Sequence, residues 1–184
     1  AQGLAEDVRY YGKGMREEAW KRIGHLYPPV KVTRAMAEGR PDLEPYVGKE
    51  LTVVAWLWAR TVKSPSPAFS HVDVPLVTSF VLSVKEGREV WVEPVVHGSQ
   101  YHFVVHLGAT PLNASDGTKA DGRGANFRCV LSGAVISNDY IKTEGKAGRI
   151  GQRLITVVAE GPKGRVYLSS SDELENIAKG VVPD

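Results

Sequence analysis

Few side chains in this sequence are suited to chemistry. Cys129 is the one thiol. With a distant histidine it could form a nucleophile pair, but nothing local in the sequence activates it. His97, His102 and His106 suggest a transition-metal cluster. Within a strand, however, His102 and His106 are four apart and share a face, while His97 ends the preceding strand. A solvent-facing histidine pair is the simpler expectation, and His71 reads as a surface loop residue. Asp172, Glu173 and Glu175 read as charges at the start of a helix, where the exposed N–H groups favour them.

Two further groups of residues point to binding. Trp56 and Trp58 alternate with Ala55, Leu57 and Ala59, so both indoles fall on one face of a strand. They could stack on unpaired bases or pack into a core. Lys142, Lys146, Arg149 and Arg153 are interspersed with Gly145, Gly148 and Gly151. Glycines let a backbone approach phosphate and the cations supply attraction, although Glu144 sits within the run and a solvated surface would look the same. The whole chain carries 23 Lys and Arg against 21 Asp and Glu, a net charge of +2. Nucleic-acid binding therefore cannot be argued from bulk charge and would rest on such local clusters.

The elements that must position these groups follow from periodicity. Leu4, Val8, Tyr11, Met15, Ala19, Ile23 and Leu26 recur at spacings of three and four, one stripe along a helix. Gly12 and Gly14 each cost such a helix about 1 kcal/mol relative to Ala, so burial of the stripe is expected to sustain it. Pro28 and Pro29 stop it. Residues 30–50 read as a linker with a short helical turn near Thr33 to Glu38. The texture then changes to strand: Leu51 to Val62, Pro75 to Val84, Val90 to Val96 and Tyr101 to Leu107, with turns at Gly87 and Gly98-Ser99, a meander. Gly108 to Asn126, with Asp116-Gly117 and Asp121-Gly122-Arg123-Gly124, reads as a long loop. Phe127 to Ile136 resumes apolar character, and Tyr140 to Gln152 is short, basic and punctuated by glycine. Leu154 to Ala159 and Arg165 to Leu168 form a hairpin around Gly161-Pro162-Lys163-Gly164. Ser171 is expected to cap a last helix, Asp172 to Lys179. The expected fold class is α+β: an N-terminal amphipathic helix, a mostly antiparallel sheet and a short C-terminal helix. As one globular unit the chain divides into 1–29 helix, 30–50 linker, 51–168 β-rich region and 169–184 helix and tail. The start at Ala1 without Met reads as a segment of a larger protein; the single cysteine and the lack of a signal-like or spanning segment fit a reducing cytoplasm and no membrane partner.

Several blocks in order resemble the middle section of bacterial adenine-specific DNA methylases, which carry an N-terminal domain of unknown function and a zinc-ribbon insert. They are AQGLAEDVRYYG, MREEAWKRIGHLYP, VGKELTVVAWLWARTV, VEPVV, YIKTEGKAGRIGQRL and VVAEGPKGRVYL. The resemblance covers Ala1 to Leu168 and weakens between Gly108 and Asn126. It implies a parent enzyme that uses S-adenosylmethionine and flips its target base. This chain holds neither the Gly-rich cofactor turn nor the Asp/Asn-Pro-Pro-Tyr/Phe tetrapeptide that such enzymes use. The family's zinc-ribbon cysteines map onto Ser64, Phe69, Cys129 and Ser132, so one thiol remains where structural zinc needs about four ligands. Degenerate knuckle loops without metal are therefore expected, with Phe69 and Leu131 supplying apolar packing in its place. The resemblance implies a non-catalytic insert, without cofactor of its own, that braces the rest of the methylase or touches DNA. A free-standing β-rich module for a protein or small ligand is the alternative, and an independent enzyme is the third reading.

Overall fold

The computed structural model describes residues 2–120, 125–162 and 164–181. The class is α+β, with an N-terminal helix, antiparallel sheets and a short C-terminal helix. Its spine is a pair of long strands. β2 (Glu50–Lys63) carries the β-branched and aromatic run, and β9 (Gly151–Gly161) pairs with it antiparallel from Thr52 opposite Glu160 to Thr61 opposite Gly151. Two irregularities in the pairing, between Val53 and Ala55 and between Leu57 and Trp58, bend and twist this ladder. β1 (Val30–Lys31) pairs with the start of β2, β3 (Asp73–Pro75) with its end, and β10 (Gly164–Ser169) with β9. A second sheet is the expected meander, β4 (Val81–Lys85), β5 (Arg88–His97) and β6 (Gln100–Leu107). A third, minimal pair is β7 (Phe127–Arg128) with β8 (Val135–Ile136).

The bent ladder serves two cores. Ala59 and Val62 pack with Val74, Phe80, Val92, Phe103, Val105 and Ile136. Leu51, Val53, Leu154, Val157 and Ala159 pack with Val30, Val32, Leu43, Leu168 and Leu174. The segment read as a linker thus closes the second core: Val32, Ala37 and Leu43 are buried in it. Its helical turn forms as α2 (Arg34–Ala37), where the Thr33 hydroxyl accepts from the Met36 amide at 3.3 Å. Its proline and charge content hides buried side chains that are too widely spaced to show a period.

Other elements depart from the sequence reading for local reasons. The strand expected over Pro75 to Val84 is split between two sheets. Thr118 sits at the break: its hydroxyl donates to the Pro75 carbonyl at 2.6 Å and accepts from the Val77 amide at 3.0 Å. Gly117 has φ +59°, and a side chain there would run into the Val77 carbonyl, so the early part of the expected loop is clamped to the first core. The stretch Asp121 to Gly124 and Lys163 of the hairpin turn lie outside the described residues. Tyr140 to Gln152 contains a helix, α3 (Asn138–Lys146), capped by the Ser137 hydroxyl and held to the first core by Tyr140 and Ile141. α4 (Asp172–Gly180) starts as expected, with the Ser171 hydroxyl accepting from the Leu174 amide at 3.2 Å.

The largest correction concerns α1 (Gln2–Ile23). The helix forms, but the burial expected to sustain it does not occur within this chain. Leu4, Val8, Tyr11 and Met15 are 72, 64, 65 and 74% exposed, and the main support of the helix is the 3₁₀ turn Gly24–Leu26 that follows it. The physical reason is that both cores are already closed, the second by residues 30–47, before α1 could reach them.

Arg40 joins these parts. Its guanidinium is buried, forks onto Asp42 with two bonds of 2.8 Å, and donates to the carbonyls of Tyr167 on β10 at 2.9 Å and Val105 on β6 at 3.3 Å. One side chain therefore ties the 30–50 segment to both larger sheets. Arg40→Ala leaves those acceptors unpaired and is expected to lower unfolding free energy by about 3 kcal/mol. Arg40→Lys recovers less than half, because an ammonium cannot reproduce the planar fork. Urea unfolding of the three proteins checks this, and an Arg40→Ala midpoint equal to wild type would contradict it.

Candidate functional site

Ser64, Cys129 and Ser132 come together around sulfur. Ser64 ends the β2 ladder, Cys129 follows β7, and both are buried. Burial raises the Cys129 pKa, but hydrogen bonds from the Ser132 and Ser64 hydroxyls and from the Ser132 and Leu131 amides outweigh it, holding the thiol below its ordinary value. The loop that carries it is tight: the Cys129 amide donates to the Ala134 carbonyl at 2.9 Å and the Gly133 amide to the Cys129 carbonyl at 2.8 Å, with Gly133 at φ +69°. The Ser64 hydroxyl accepts from the Ser66 amide and the Ser132 hydroxyl from the Ala134 amide, each at 3.3 Å. Two loops thus present Oγ, Sγ and Oγ to one point, while Phe69 and Leu131 pack, partly buried, on the first core. Ser and Phe offer poor ligands for a structural metal, and among the described residues no group of three or more His, Cys, Asp or Glu could hold one.

The two tryptophans are half-buried and pack on the second core. Trp56 also anchors the root of α1, its indole N–H donating to the Leu26 carbonyl at 3.3 Å. Three of the four cations of the basic run have acidic partners. Arg149 forks onto Glu144 with bonds of 2.9 and 2.7 Å; those hydrogen bonds hold the Glu144 carboxyl below its usual range against the opposing effect of burial. Lys142 lies 3.6 Å from Asp139. Arg153 lies across the Tyr101 ring, 4.9 Å from its centroid, and 3.7 Å from Glu175. Lys146 is exposed on α3 with no ion pair among the described residues.

The histidines pair differently from the expectation. His106 stacks on Trp91, with ring centroids 4.4 Å apart, and lies 2.9 Å from Glu93. His97 stacks on His102 at 5.0 Å with the rings 3° from parallel. The antiparallel register explains this: Val95 faces His102 and His97 faces Gln100, so His97 and His102 are diagonal neighbours on the outer face. Beside them opens a cleft of about 610 Å³, walled by the β5–β6 turn, β3, the start of β9 and α4. His71, Asp73, Gln152, Arg153, Glu175 and Lys179 are among its lining residues. Tyr101 beneath donates to the Asp73 carbonyl at 2.5 Å, and burial raises its pKa well above the ordinary value. The sequence analysis missed this constellation. Its members are spread from position 71 to position 179, and only strand register and the docking of α4 bring them together.

The knuckle geometry leads to a direct expectation. Hydrogen bonds and apolar contacts close the two loops, so purified chain should hold far less than one zinc ion, and a chelator should leave the melting temperature unmoved. Stoichiometric zinc, or unfolding on chelation, would mean that other side chains such as His71 complete a site. No family model matches the chain, and neither a curated protein nor a solved structure is detectably similar to it.

Proposed function

We propose that this chain is a non-catalytic insert of an S-adenosylmethionine-dependent adenine-specific DNA methyltransferase, and that it braces the catalytic part of that enzyme through α1. The observation that carries this reading is the unburied stripe of α1. A helix interrupted by two glycines is marginal in water on its own, and a continuous apolar face of this length is a binding surface in search of its other half. The ordered blocks that resemble the methylases support the rest of such an enzyme as the other half. The self-contained body supports the same reading, since the described residues after Pro29 form two cores to which α1 contributes no buried residue.

Bracing is favoured over DNA contact because of where the cations are. Arg149 and Arg153 are committed to Glu144, Glu175 and Tyr101, which leaves Lys142 and Lys146 of the run as exposed charges. Two lysines supply little of the phosphate neutralisation that drives duplex binding.

The isolated chain should transfer no labelled methyl group from S-adenosylmethionine to duplex DNA. In the longer methylase, Leu4→Glu with Met15→Glu should lower methyl transfer at least tenfold, while leaving the melting temperature of the isolated chain unchanged because both sites are exposed. Methyl transfer by the isolated chain, or a fully active double variant, would sink the reading in favour of an enzyme or a free-standing module.

A further inference from the structure

The spine sheet has a second face. Val53, Val157, Ala159 and Leu168 point into the second core, and the residues that alternate with them point the other way. Register fixes the rows on that outer face. Leu57, Thr156 and Ser169 form one row, which β6 closes at its far end, where the Ser169 hydroxyl accepts from the Val105 amide at 2.9 Å. Ala55, Val158 and Tyr167 form the next row, and Glu160 with Arg165 belongs to the one after it. Past the closed end a groove of about 640 Å³ opens over these rows, with Leu82 of β4 also in its lining. That volume lies in the range of small-molecule sites.

Most of the lining is apolar: Val54, Ala55, Leu57, Leu82, Val158 and Tyr167 contribute to it. Val54 owes its place to the first register slip, where β2 carries one residue more than β9 between Val53 and Ala55. The extra side chain faces the groove and is left 43% exposed.

The charged row carries both signs. Glu160 and Arg165 are directly opposite each other in the register, and both line the groove. Such a cross-strand pair commonly closes on itself; here neither side chain has an ion pair among the described residues. Arg88 comes within 3.5 Å of where a Gly164 side chain would begin, but it does not line the groove. The charged row lies about 6–7 Å along the strands from the Val158–Tyr167 row, a distance that one large aliphatic or aromatic side chain bridges. A bare carboxylate drawn to Arg165 would bring its charge against Glu160, and a bare amine drawn to Glu160 would meet Arg165. A ligand that carries an ammonium and a carboxylate on one carbon satisfies both.

We propose that this groove binds a free α-amino acid with a large apolar side chain, its ammonium on Glu160, its carboxylate on Arg165 and its side chain over Val54, Val158 and Tyr167. The inference is independent of the docking of α1 and of the methylase reading, neither of which uses this face.

The test is a titration of the whole chain, followed by backbone amide resonances, with leucine and three probes that each lack one part of it. Isocaproate has no ammonium, isoamylamine has no carboxylate, and glycine has no side chain. Leucine should shift the resonances of residues 158–160 and 165–167 saturably at millimolar concentration. Glycine should bind at least about tenfold more weakly, the loss of one partly buried aliphatic side chain. Isocaproate and isoamylamine should each bind about threefold more weakly, the size of one solvent-exposed charge contact. In Glu160→Gln the affinity for leucine should fall to that of wild type for isocaproate, and in Arg165→Gln to that for isoamylamine. Both variants should keep the wild-type melting temperature, since both positions are exposed. No saturable shift with leucine, or glycine binding as tightly as leucine, would overturn the proposal. So would isocaproate or isoamylamine matching leucine, or an affinity for leucine untouched in both variants.

Discussion

The rest of the molecule depends on the antiparallel pairing of β2 with β9. Neither strand is regular: the register slips between Val53 and Ala55 and again between Leu57 and Trp58. Those slips change which side chains meet which core. Leu51 and Val53 face the second core, Trp56 and Trp58 take over that face past the first slip, and Ala59 turns to the first core. A flat, regular ladder would give one apolar face and one solvated face. The bent one gives two cores, the first closed by the meander and the second by residues 30–47, β10 and α4.

The candidate sites are consequences of that ladder. The end of β2 delivers Ser64 to Cys129 and Ser132, while the start of β9 delivers Gln152 and Arg153 to the cleft. Gly151 lies between them on β9, opposite Thr61, where a side chain would collide with the Thr61 hydroxyl at 2.6 Å. The two loops that meet at Cys129 show how short segments can be tied together without regular pairing. The tie consists of hydrogen bonds at one thiol, a glycine turn, and Phe69 and Leu131 on the first core. Each contribution is small, but loops this short have little entropy to lose.

Much of the fold was legible in the sequence because it rests on local periodicity. The meander, the β9–β10 hairpin, the short helical turn after Thr33, the Ser171 cap and the extent of α1 all follow from spacing and turn residues. What was not legible depends on contacts between distant positions. Leu43 and Val32 look like linker residues until β1 and β2 place them over Leu154. Tyr140 and Ile141 are too few to betray α3 among lysines and glycines. For the sites the division is similar. Ser64, Phe69, Cys129 and Ser132 were singled out only through the family resemblance, while the diagonal stacking of His97 on His102, and Glu175 beside Arg153, exist only through register and helix docking. The apolar stripe of α1 was plain in the sequence; that the chain would leave it unburied was not, because periodicity shows that a face is apolar and not what covers it.

The central claim is that α1 lies outside the cooperative fold of this chain and presents its stripe to a surface elsewhere. Amide hydrogen exchange of the isolated chain tests it most directly, because protection reports the free energy of opening residue by residue. The account predicts that amides between Leu4 and Trp20 exchange by orders of magnitude faster than those of Val157 and Ala159 in β9. Protection of α1 as deep as that of β9, unchanged on dilution, would contradict it, since it would mean that the stripe is buried against this chain's own body.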